Sequence, residues 1–143
     1  MNKVTTVFLL AGFMTLSASG SAATFDGSKT ILCAMQSVTQ CDAGTDCVSV
    51  TPENVNLPDF FQIDVAGKVI SSTPESGREA TTPIERSEIL DGKLVLQGAD
   101  DGIEDVRDGL GWTIAINEET GKMVISASGD GFATVVFGAC TLR

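Results

Sequence analysis

The run GWTIAINEETGKMVISASGDGFATVVFGAC, Gly111 to Cys140, constrains the fold more than any other part of the chain, because its alternation and its turns must agree on one register. Trp112, Ile114 and Ile116 alternate with Thr113, Ala115 and Asn117, the two-residue period of a strand with one buried face. Glu118 to Gly121 then predicts a four-residue hairpin loop, with Gly121 supplying the left-handed conformation that ends such loops. That loop pairs Ile116 with Met123, Ile114 with Ile125 and Trp112 with Ala127, all on one face. A loop one residue shorter would set Ile114 opposite Ser126, so the apolar pattern selects the register. Gly129-Asp130-Gly131, taken as a three-residue loop, pairs Ile125 with Val135 and Met123 with Phe137. The last strand is apolar on both faces, with Phe132, Val136 and Cys140 on one and Val135 and Phe137 on the other. It is therefore expected inside a sheet.

Earlier segments read in the same way. Asp91-Gly92 is a strong two-residue hairpin signal and sets Ile89 opposite Leu94, with Leu96 on the same face. Phe60 to Val65 and Lys68 to Ser72 form a second hairpin that pairs Ile63 with Ile70. Lys29 to Gln36 predicts the first strand, with a short helix over Met35 to Gln40 as an alternative, and Val48 to Thr51 a brief second strand. Pro52 to Pro58 is a loop, Thr73 to Thr82 a polar mobile segment, and Gly98 to Gly111 a long connection. Closely spaced turns between short strands predict an all-β antiparallel meander of about eight or nine strands. If the last strand pairs with the first, the meander closes into a small β-barrel without free edges. A two-sheet β-sandwich is the alternative.

Residues 1–23 have the form of a cleaved signal peptide: Lys3, an apolar stretch from Val7 to Leu16, and the small-residue end SASGSAA. Residues 24–143 are then one all-β domain, exported to the periplasm or the exterior, and no second apolar run is long enough to span a bilayer. Loss of Lys3 changes the net charge from -10 to -11, because eight basic residues then face nineteen acids. So acidic a chain is a poor partner for nucleic acid, which needs basic patches. Cys33, Cys41, Cys47 and Cys140 all lie after the signal, and an oxidising destination makes two disulfides the expectation. The expected pairs are Cys41 with Cys47, closing CDAGTDC, and Cys33 with Cys140, tying the first strand to the last. The longer loop would stabilise the fold by about 4 to 5 kcal/mol on the chain-entropy model.

The chain has no His and no Tyr, which removes the commonest general base, the commonest metal ligand and every Ser-His or Cys-His nucleophile. No catalytic motif is present, and a non-enzymatic protein without a cofactor is expected. Two features invite a binding role. Asp100, Asp101, Glu104, Asp105 and Asp108 crowd one loop, which suits a basic protein partner and is compatible with weak calcium binding, although the spacing fails the EF-hand pattern. Trp112, Ile114, Met123, Ile125 and Phe137, which the proposed register brings together, would line an apolar cavity inside a barrel or fill its core. An exported binding protein that meets a basic secreted partner through its acidic loop is the leading expectation. A small barrel carrying an apolar molecule around Trp112 is the alternative.

Overall fold

The computed structural model describes residues 24–76, 79–102, 105–106 and 108–143. The stretch read above as an export signal lies outside them. Ten strands follow in chain order: β1 (Ile31–Asp42), β2 (Val48–Val50), β3 (Phe60–Asp64), β4 (Val69–Ser72), β5 (Thr81–Pro83), β6 (Arg86–Leu90), β7 (Lys93–Asp100), β8 (Leu110–Asn117), β9 (Lys122–Gly129) and β10 (Phe132–Leu142). Short 3-10 turns span Pro52–Val55 and Pro74–Ser76. Among the described residues no helix is long and apolar enough to cross a membrane.

All ten strands belong to one antiparallel sheet in the order β5-β4-β3-β1-β10-β9-β8-β7-β6, with β2 attached to β1. A single continuous sheet leaves no place for the two-sheet sandwich. It curls into a half-barrel whose path ends, β5 and β6, are separated in the chain only by Ile84 and Glu85. Ile84 N–H donates to Lys68 O beside β4, and Glu85 N–H donates to Gln97 O on β7. One bent segment thus ties the two ends of the curled sheet together.

The meander forms where alternation and turn chemistry agree. Ile116 faces Met123, Ile114 faces Ile125 and Trp112 faces Ala127, across a loop in which Asn117 Oδ1 accepts from the N–H groups of Glu119 and Thr120. Asp91 and Gly92 both take positive φ, 49° and 71°, as a primed hairpin turn requires. Ile89 faces Leu94, and Ile63 faces Ile70. The inward residues Ile31, Ile63, Leu94, Leu96, Ile116 and Met123 are almost wholly enclosed. Each such side chain contributes about 1.5 to 3 kcal/mol by leaving water.

Two readings of the sequence need correction. The β9–β10 connection is the two-residue turn Asp130-Gly131, so Ile125 pairs with Val136 and Met123 with Gly138. The shift of one position turns Phe137 to the outer face, where it is 49% exposed. The segment Met35 to Gln40 is not helical either. It continues β1 through a β-bulge between Met35 and Ser37, and the inserted residue breaks the alternation that a plain strand would show.

β1 and β10 pair along eleven positions, with Cys33 opposite Cys140, and those two cysteines form a disulfide. The second disulfide joins Cys41 and Cys47. Both fit an oxidising environment.

Candidate functional site

The two ends of the half-barrel differ because the connections differ. At one end lie the tight turns β3–β4, β6–β7 and β8–β9, and Phe25 seals it from before the first strand. Phe25 N–H donates to Glu118 O at 2.9 Å, and its ring packs on Gly121, where even a methyl group would collide with it. This is the closed end. The longer connections gather at the other: the disulfide loop and Pro52–Val55 turn between β1 and β3, the β4–β5 segment, and the β7–β8 loop.

On β4 and β9 the inward side chains become smaller toward this open end, whereas on β3 and β8 they grow, from Ile63 to Phe61 and from Ile114 to Trp112. Along β9 they run Met123, Ile125, Ala127; along β10, Val136 gives way to Thr134; on β4, Ile70 is followed by Ser72. Bulky residues fill the lower barrel, and in the upper part the small Ser72, Ala127 and Thr134 leave space beside Trp112 and Phe61. The result is a cavity of about 450 Å³ that opens at the mouth. Its wall includes Trp112, Ile114, Ile125, Phe61, Ile70 and Met35, and residues 55–58 line it as well.

Trp112 is held at one side of this wall. Its indole Nε1–H donates to Thr82 Oγ1 at 3.3 Å, and that hydroxyl donates in turn to Ala99 O at 3.4 Å, joining β5 to β7 beside the ring. Gly98, directly across the ladder, leaves room for the indole, since a Cβ there would overlap it.

The residues expected at a site divide as follows. Trp112, Ile114 and Ile125 share the cavity wall, and Asp100 and Asp108 stand at its rim. The acidic loop and the apolar wall, which the sequence presents as separate features, therefore meet at one opening. Met123 lies deeper, in the filled core, with its sulfur 3.7 Å from Cys140 Sγ. Phe137 points outward, away from this cavity. Asp101 and Asp105 are exposed in the loop, and Glu104 lies outside the described residues. Met35, Phe61 and Ile70 were not anticipated here, since each comes from a segment that no local pattern connects with Trp112.

The rim carboxylates organise their own loop. Asp100 Oδ1 accepts from Gly102 N–H at 2.9 Å, and the Asp108 carboxylate packs directly on Gly102, whose φ of +74° suits a residue without a side chain. Among the described residues no three Asp, Glu, Cys or His side chains converge to hold a metal.

Charge is distributed as unevenly as loop length. Counted along the sequence, the open-end segments 42–59, 72–80, 100–109 and 129–131 hold twelve of the nineteen acids, and only Arg78 and Arg107 among the basic residues. Both arginines lie outside the described residues. Segments 24–30, 64–69, 90–93, 117–122 and 142–143, at the closed end, hold five acids and five basic residues. Nearly the whole net charge of residues 24–143 therefore belongs to the segments of the open end. Within them the Glu75 carboxyl is held below its ordinary range, first by its own backbone N–H and then by the Thr73 hydroxyl.

Comparison with protein-family models, with curated proteins and with solved structures finds no match to this chain.

Proposed function

We propose that the chain is an exported, non-enzymatic binding protein whose acidic open end meets a basic protein partner. The observation that supports this most directly is the concentration of acids at one end of an otherwise charge-balanced barrel. A field of one sign at a single opening raises the encounter rate of a cationic partner by about 10- to 1000-fold and orients it as it arrives. Carboxylates spread evenly over the surface would raise solubility without choosing a face. The long connections suit the role, because they lie on a rigid strand framework and are free to vary in shape.

The test compares two sets of charge removals against one cationic probe, poly-lysine of defined length. Replacing Asp100, Asp101, Asp105 and Asp108 by Asn lowers affinity by about tenfold or more and flattens its dependence on salt. Replacing Glu85, Glu88, Glu118 and Glu119 by Gln removes the same charge elsewhere and changes affinity by about twofold or less. Equal losses from the two sets would show that only total charge matters, and the reading would fail.

A further inference from the structure

The cavity carries a separate conclusion that does not depend on a protein partner at the mouth. We infer that it is a binding site for a small molecule whose buried part is an aliphatic chain or an aromatic ring and whose polar end is not anionic. Its volume of about 450 Å³ falls in the range of roughly 300 to 1,000 Å³ typical of ligand pockets. That is about three times the roughly 150 Å³ of an apolar protein cavity that takes up benzene. A single side chain from a partner would leave much of it empty.

The wall favours an apolar guest. Trp112, Ile114, Ile125, Phe61, Ile70 and Met35 offer carbon and sulfur surface. Trp112 already spends its one donor on Thr82. The polar side chains of the lining, among them Ser72, Thr82, Thr134, Asp100 and Asp108, leave the larger share of the wall to these apolar groups. The opening sets the second condition. An anionic head group would rest beside Asp100 and Asp108, whereas a hydroxyl or an ammonium would not be repelled.

The geometry also explains why the space persists in a folded chain. The lower barrel is packed by Ile63, Leu94, Leu96, Ile116 and Met123, and the Cys33–Cys140 disulfide fixes the β1–β10 seam. The upper wall is thus held apart by a framework that does not need it filled.

Trp112 is the single tryptophan and there is no tyrosine, so intrinsic emission reports on the surroundings of this one wall residue. The experiment titrates the protein with 1-decanol, decylamine and decanoate, which share a chain and differ in head group, while following emission and Tm. Decanol and decylamine should give saturable spectral shifts and a raised Tm, with decanoate weaker by about tenfold or more. Ala127→Leu fills the space opposite Trp112 and should weaken decanol by about tenfold while leaving poly-lysine binding within about twofold. If that variant does not fold, Ile125→Ala enlarges the cavity and should move the preferred alcohol to a longer chain. Absence of saturable change with all three compounds overturns the inference, as do equal binding of decanoate and an unchanged decanol affinity in Ala127→Leu. Loss of poly-lysine binding alongside intact decanol binding sinks the charge-based function alone.

Discussion

Single residues decide which face of the last strand is buried. Phe137 is exposed on the outer face and Met123 is buried in the core, although the apolar pattern presents them as a cross-strand pair. Phe137→Ser should therefore change stability by less than about 0.5 kcal/mol, whereas Met123→Ala should cost about 2 to 5 kcal/mol in urea denaturation. The opposite ranking would restore the register with Phe137 inside. Gly98 is another such position. A methyl group there would overlap the indole of Trp112 and stand 2.7 Å from Pro83 O, so Gly98→Ala should destabilise by about 1 to 3 kcal/mol and shift tryptophan emission. Asp26 gives a pH signature. Its carboxyl is held below the ordinary value of 3.8, chiefly by the Ser28 side chain and then by the Ser28 backbone N–H. A depressed folded pKa means that the contribution is complete above the unfolded value and is lost as pH falls through the folded one. Asp26→Asn should therefore make Tm fall less steeply below about pH 4, a small effect because the carboxyl is exposed.

At the scale of elements, the hairpins were legible wherever pattern and turn chemistry pointed the same way. Asp91-Gly92 and the loop ending in Gly121 each gave the observed pairing, and the β1–β10 seam followed from two cysteines and a strand apolar on both sides. The same two-sided apolarity hid the register of β10, because either offset buries large residues and hydrophobicity cannot choose between them. The alternation marks β1 only as far as Gln36, because the bulge between Met35 and Ser37 interrupts it. The cavity was legible only in part. Trp112, Ile114 and Ile125 share a local pattern, but Phe61, Ile70 and residues 55–58 join them through the curl of the sheet, which no short segment encodes. The disulfides allow a test at this scale. Replacing Cys33 and Cys140 by Ala should cost about 5 kcal/mol and replacing Cys41 and Cys47 about 2, since the loops they close differ so much in length. Similar losses would mean that native packing and not chain entropy governs both. β6, at one end of the sheet path, exposes Ile89 and Leu90, and its five-residue length and the Arg86–Glu88 ion pair guard it against adventitious strand pairing.

At the scale of the whole molecule, a sealed, charge-balanced base supports an acidic, hollow mouth. The Phe25 plug brings the start of the described chain to that base, and the C-terminus is there too, with Arg143 N–H donating to Thr30 O at 2.9 Å. The chain thus enters and leaves the barrel side by side, at the pole opposite the opening. Anything joined to either terminus, whether a tag, a surface or another domain, holds the molecule like a cup by its foot. Immobilised through residue 143, it presents the cavity outward with its access unimpeded.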